Sequence, residues 1–333
     1  MNETILVTGG AGYIGSHVVL KLVAAGHHVV VLDDLSTGFA DAVLGAPLVV
    51  DNCGDRGVVR DLLREHRVDT LMHFAARTIV PESVADPLRY YGNNTCATRN
   101  LLEECAAAGV RQVVFSSTAA VYGIPPSGKA DEDTPTAPIN PYGTSKLMSE
   151  WMLRDLAAAG GPRYVALRYF NVAGSDPEKR IGQSTRNATL LVKVACEAAV
   201  GKRSQVSVFG TDYPTPDGTG VRDYIHVDDL ARAHLDALNY LRDGGASATL
   251  NVGYGHGYSV RQVLDAVGRA HGAPIPAIDL PRRAGDPPVL IAEASRIASV
   301  LGWKPRLNDL DVIASTSLAW EQHMAAAESN AAR

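Results

Sequence analysis

The 333-residue chain reads as an α/β fold built on a doubly wound parallel sheet. Three observations predict this. Short apolar runs of strand length alternate with longer segments of helical character through the first half. A glycine-rich turn stands directly between the first such run and the first helical segment. Past Asn171 the texture becomes polar and turn-rich, which marks a second, less regular lobe.

Taken in order, residues 4–8, 28–32, 70–74, 113–116 and 164–169 are the expected strands. Parallel neighbours need a crossover, usually a helix, so this half is expected to be a Rossmann-type domain. Segments 176–186, charged and polar, and 213–220, rich in turn residues, are expected loops of a smaller mixed α/β substrate-binding domain. A helix over 227–241 and a strand over 249–252 return the chain to the first domain. The expected division is therefore discontinuous: 1–170 plus about 227–255, and 171–226 plus 256–333. Residues 325–333 have little to bury and are expected to fray.

Composition narrows the function classes. With 46% hydrophobic and 20% charged residues, and 31 Lys+Arg against 36 Asp+Glu, the chain is ordinary globular protein without the cationic excess that nucleic-acid binding uses. No membrane partner is expected either, because no run of about eighteen residues is uninterruptedly apolar. Cys53, Cys96, Cys105 and Cys196 form no C-x-x-C pair and no leader-like segment precedes residue 5, so a reducing cytoplasm is expected. The histidines show no metal-ligand spacing; no metal is expected, and His226 reads as a hydrogen-bonded core residue.

Gly9, Gly12 and Gly15 set a G-x-x-G-x-x-G spacing in a strand–turn–helix context. Missing side chains let backbone amides approach a pyrophosphate, and a helix start adds about half a positive charge. Asp33, at the end of the second strand, suits ribose hydroxyls and repels a 2′-phosphate, which favours NAD over NADP; it also suits capping of the next turn. Farther on, Asn140 and Pro141 form a helix-start signature, which places Tyr142 and Lys146 one turn apart on one face. Lowering a phenol by about three pKa units takes about 4 kcal/mol. An ammonium about 5–6 Å away supplies about 3 kcal/mol at an effective dielectric of 20. Thr118, or Ser117, brings a hydroxyl to the carboxyl edge of the sheet, and the trio suits proton removal from an alcohol as its carbon gives up hydride.

These residues lie within TGGAGYIG, FSSTAAVYG, NPYGTSK, LRYFN, FGTDYPTPDGTGVRDYIHV and RRAGD. Over nearly its whole length the chain resembles the UDP-glucose 4-epimerases, a family of the extended short-chain dehydrogenase/reductases. The resemblance implies bound NAD, transient oxidation at C4 of a UDP-hexose, rotation of the 4-keto sugar and return of hydride to its opposite face. It implies Tyr142 as base, Lys146 as the residue that lowers its pKa and holds the nicotinamide ribose, and Thr118 as the hydroxyl bridging to the sugar. Tyr13, Ile14, Asn52, Cys53, Phe74, Asn93 and Phe170 are implied cofactor contacts. Asn171, Phe209, Arg222, Arg283, Asp286 and Leu290 are implied substrate contacts; without the resemblance, Arg222 and Asp223 read as a surface ion pair. A homodimer through helices over 86–108 and 142–158 is likewise implied.

The chain departs from the family at Asn52, Thr78 and Ala284, and in the stretch with Leu190 and Lys193, where a polar residue and a proline often lie beside the phosphates. Leu290 stands at a gate position linked to acceptance of N-acetylated sugars. Another UDP-sugar therefore stays open as the main substrate. A nucleotide-sugar dehydratase is disfavoured because Ala119 and Ala120 replace the Asp-Glu pair that elimination uses as acid and base. A non-catalytic NAD-binding regulator need not keep a tyrosine and lysine in register.

Overall fold

The computed structural model describes residues 3–283 and 285–331. Strands β1 (Thr4–Thr8), β2 (His28–Asp33), β3 (Leu48–Val50), β4 (Val68–His73) and β5 (Gln112–Thr118) join Arg163–Tyr169 and Ala248–Val252 in one seven-stranded sheet. From one edge its order is Ala248–Val252, Arg163–Tyr169, β5, β4, β1, β2, β3, and every pair is parallel. The chain builds outward from β1 in one direction, then crosses to β4 and builds in the other. Such a reversal opens a crevice at the carboxyl ends of β1 and β4.

Alternation of side chains explains how both faces are buried. Ile5 and Val7 point to one core, beneath the helices Tyr13–Ala24 and Val227–Arg242; Leu6 points to the other, beneath Arg56–Glu65, Ala97–Ala108 and Pro141–Ala158. Local chemistry sets the helix starts. Asp55 Oδ1 accepts from the Gly57 and Val58 amides at 2.8 and 3.1 Å, and Asn140 Oδ1 accepts from Gly143 N at 2.9 Å with Pro141 at the first helical position.

The expected helix over 86–108 is interrupted. An α-turn at Pro87–Tyr90 passes into a π-helical Tyr91–Cys96 before Ala97–Ala108 becomes regular. Buried Asn94 sits in that widened turn and is held by Arg77 N at 2.8 Å and Ser145 Oγ at 3.0 Å.

A smaller four-stranded sheet, ordered Tyr258–Ser259, Val221–Arg222, Val289–Ala292, Lys129–Ala130, lies beside the large one. Lys129–Ala130 comes from the first half of the chain, so this sheet stitches early and late segments together. Helices Leu191–Ala199, Val260–His271 and Leu310–Ala331 enclose a third core. The last helix continues past the expected fraying point, and Lys202 Nζ binds Glu328 Oε1 at 3.0 Å; residues 332 and 333 lie outside the described residues. Among the described residues no helix is long and apolar enough to cross a membrane.

Candidate active site

The glycine turn joins β1 to the Tyr13–Ala24 helix at the crevice. Its glycines have different reasons to be there. Gly9 has φ +73°, and a Cβ on it would lie 2.5 Å from Ala75 N; a Cβ on Gly15 would lie 2.2 Å from Gly9 O. Those two permit the turn itself. Gly12 occupies the helix N-cap with no capping side chain, so no side chain competes for the first-turn amides, and Gly9 O, 3.3 Å away, is the one neighbour its Cβ would meet. This open, side-chain-free helix start fits a dinucleotide pyrophosphate. Tyr13 donates to Gly174 O at 2.6 Å and ties the helix start to the second lobe, while Ile14 packs on the core.

Buried Asp33 caps the next turn, as expected. Oδ2 accepts from Ala11 N and Oδ1 from Leu35 N, each at 2.9 Å, which ties the glycine turn to the end of β2. Burial raises its pKa against the pull of those amides. Nearby, Asn52 Oδ1 accepts from Gly54 N at 2.7 Å, and the Cys53 thiol is pushed up to about 12 by burial, which makes it an inert wall. Phe74 follows β4, its amide bound to Thr8 O at 2.9 Å, and Asn93 lies in the π-helical turn with Nδ2 donating to Asn94 Oδ1 at 3.1 Å.

At the end of β5, Thr118 caps a short 3-10 turn, its Oγ1 accepting from Ala120 N at 3.1 Å. Its hydroxyl stands beside the Tyr142 phenol, where it favours the anion. Burial raises the Tyr142 pKa and the Thr118 hydroxyl opposes that. Lys146 is buried one turn along; Nζ donates to Ser116 O at 2.8 Å and lies 4.9 Å from the Phe115 ring centre. Burial brings its pKa down to about 7. The structure therefore assembles Thr118, Tyr142 and Lys146 as expected. In the chain alone, however, the lysine is engaged by Ser116 O and the phenol is not acidified.

Across the crevice, Arg222, Phe209, Arg283 and Asp286 gather. Arg283 stacks over Phe209 at 4.5 Å and its Nε binds Asp286 Oδ2 at 2.9 Å. Arg222 is not in a surface pair with Asp223. Its Nη1 donates to Val221 O at 2.9 Å, and among the described residues no carboxylate lies within ion-pair distance; burial lowers its pKa, with Asp286 opposing and Arg283 adding to the shift. Asp223 is fully buried and accepts from Tyr254 N and Gly255 N, each at 2.9 Å. Leu290 is the register partner of Arg222 and packs with Phe170 and Leu147. Asn171 N donates to Asp223 O at 2.9 Å.

Of the departures, Lys193 is a buried ion-pair partner of Glu321, with Glu197 Oε1 at 3.6 Å, and so braces two helices; Leu190 is exposed at that helix's N-cap. Ala284 lies outside the described residues. His226 is a hydrogen-bonded core residue, as expected, its Nδ1 accepting from Asp228 N at 3.1 Å. Glu150 escaped the sequence reading although it is one turn beyond Lys146 on the same face; its carboxylate is buried against Ser117 and Arg168.

Residues 5–253 match the family model described as NAD dependent epimerase/dehydratase family. The chain belongs to the NAD dependent epimerase/dehydratase family. Among relatives within it, a UDP-glucose 4-epimerase of Azospirillum brasilense is 55% identical over 96% of this chain and 92% of its own length. The crystal structure of UDP-glucose 4-epimerase from Brucella ovis in complex with NAD is 42% identical, with TM-score 0.92 over 95% of this chain and 98% of that one. A UDP-glucose-4-epimerase structure from Stenotrophomonas maltophila, with bound NAD and formylated UDP-arabinopyranose, is 41% identical, with TM-score 0.94 over 98% of this chain and all (100%) of the other. This epimerase/dehydratase family member thus shares its whole architecture with proteins solved around a dinucleotide.

Proposed function

We propose that the protein is an NAD-dependent UDP-glucose 4-epimerase, an isomerase that interconverts UDP-glucose and UDP-galactose. The observation that carries this reading is that Thr118, Tyr142 and Lys146 stand at the same carboxyl edge of the sheet as the glycine turn, with Leu290, the register partner of Arg222, packed on Leu147 of the helix that bears Tyr142 and Lys146. The first-turn amides, Asp33, Asn52, Cys53, Phe74, Asn93, Lys146 and Phe170 would hold NAD, which when bound supplies the hydride acceptor for C4. Tyr142 takes the C4 hydroxyl proton, Thr118 bridges the two oxygens, and Tyr142 returns the proton after the 4-keto sugar has rotated; net redox change is zero. Because burial opposes the phenolate and the substrate's diphosphate is anionic, the cationic nicotinamide of bound NAD would supply the positive charge that favours it. Arg222 and Arg283 clamp the diphosphate, Asp286 accepts from uridine hydroxyls, and Asn171, Phe209 and Leu290 line the same wall.

Chain order supports a dinucleotide domain of 1–170 plus about 227–255 and a UDP-sugar domain of 171–226 plus 256–333. A homodimer fits the surface: Val84, Leu88 and Trp151 are 61%, 78% and 45% exposed on neighbouring helices, an apolar face that a second copy would cover. Four free cysteines suit a reducing cytoplasm. Purified protein given UDP-galactose without added cofactor should yield UDP-glucose by chromatography. A 4-keto-6-deoxy product, or no change even after NAD is added, would overturn the reading.

A further inference from the structure

Three consecutive residues at the end of β5 face three side chains spaced one turn apart on the Pro141–Ala158 helix. Ser116 O accepts from Lys146 Nζ at 2.8 Å, Ser117 Oγ donates to the Glu150 carboxylate, and Thr118 stands beside Tyr142. Positions 142, 146 and 150 share one helical face. Arg168, on the adjacent strand, grips Glu150 through Nε at 2.9 Å and Nη2 at 2.6 Å, and its Nη1 donates to Tyr122 OH at 3.0 Å. Tyr122 in turn donates to Asn251 Oδ1 at 2.6 Å, and Asn251 Nδ2 donates to Ala130 O at 2.9 Å in the smaller sheet. Every side chain in this series is buried except Tyr142, which is half-buried.

We propose that Glu150 is a positioning residue: its carboxylate, gripped by Ser117 and Arg168, locks Tyr142 and Lys146 in register with the strand end and ties that register, through Tyr122 and Asn251, to the smaller sheet. The proposal rests on the roles given to Tyr142 and Lys146 above. A buried ion pair is a poor means of stabilising a core, since apolar residues of equal volume often do as well. Its use here is directional, because a forked arginine accepts one carboxylate geometry.

Charge points the same way. Burial disfavours the Lys146 ammonium, while Cys53 and Glu150 favour it. Cys53, at about 12, is a neutral thiol at pH 7, which leaves Glu150 as the supporting anion. Arg168 holds the far side of that carboxylate as a cation, while the other titratable neighbours are neutral at that pH: His73 is pushed down to about 3 by burial, and burial raises Tyr142 and Tyr169.

The test uses NAD-loaded protein and two variants, Glu150→Gln and Ser117→Ala. The Lys146 titration, read from its pH-dependent acetylation by acetic anhydride and peptide mass spectrometry, should fall by about one pH unit in Glu150→Gln. In both variants kcat should fall about tenfold or more while KM and bound NAD hold, because a small misalignment acts on the transition state. The double variant Glu150→Met/Arg168→Met removes both charges; it should regain thermal stability yet keep the low kcat, whereas a merely structural pair predicts that both recover. A wild-type Lys146 midpoint in Glu150→Gln, or, where that variant does not fold, wild-type kcat in Ser117→Ala, would overturn the proposal. Should the wild type convert no UDP-hexose, the functional reading falls, and the acetylation midpoint, which needs no turnover, still decides the role of Glu150.

Discussion

Tyr142 sits under two opposed influences, burial that favours its neutral phenol and the neighbouring Thr118 hydroxyl that favours the anion. Replacing it with phenylalanine removes the proton acceptor and little volume, so Tyr142→Phe should lose about 10²–10⁴-fold in kcat while bound NAD, measured by absorbance after denaturation, is unchanged. Near-normal turnover would remove Tyr142 as the base. Leu290 is packed against Phe170 and Leu147 at the level of Arg222. A tyrosine there adds bulk to the sugar wall, and Leu290→Tyr should lower the rate on UDP-N-acetylgalactosamine relative to UDP-galactose by about tenfold; an unchanged ratio of rates would dismiss the gate. At this scale the trio of Thr118, Tyr142 and Lys146 was legible, because each stands at a strand end or a helix start that sequence marks. The Ser116 carbonyl that holds Lys146, and the Glu150–Arg168 pair, were not. Backbone acceptors leave no residue-type signal, and partners eighteen positions apart meet only once a helix has crossed the sheet.

The turn between β1 and its helix works as a unit. A methyl group on Gly15 would collide with Gly9 O at 2.2 Å, a backbone atom with nowhere to go. Gly15→Ala should therefore shift the turn and weaken NAD retention by about tenfold or more, read by equilibrium titration with NAD fluorescence quenching; unaltered affinity would show that the cradle tolerates the shift. Long elements with strong signals were anticipated well: Asn140-Pro141 starts its helix as expected, and residues 227–241 form a helix that the structure extends by one residue. Short ones were not. Leu48–Val50 is a partly exposed edge strand of three residues, and Val221–Arg222, Tyr258–Ser259 and Lys129–Ala130 have two residues each, too few for a period of two to show. The π-helical Tyr91–Cys96 was hidden for another reason, since its one-residue surplus is dictated by what Asn94 must reach in Arg77 and Ser145.

Across the whole molecule, four buried histidines share one behaviour. Burial lowers His17, His226 and His234 to about 4 and His73 to about 3. Folded, they stay neutral; unfolded, they bind protons below about 6.5, so the unfolded state holds more protons in that window. Stability is then complete above pH 6.5 and is lost as pH falls toward 4. The unfolding midpoint in urea should drop steeply between these values, and a flat profile would show that the imidazoles are wetter than the structure implies. The doubly wound architecture was legible from the alternation of runs, whereas the small sheet that draws Lys129–Ala130 away from its sequence neighbours was not. The edge strand Ala248–Val252 has its own consequence for biosynthesis. When residue 170 leaves the ribosome, the strand Arg163–Tyr169 has β5 on one side and a bare row of amides and carbonyls on the other. Tyr122 still lacks Asn251 then, and the nascent chain must wait for about eighty more residues before that flank is sealed, an interval in which a chaperone or a neighbouring polysome product competes for it.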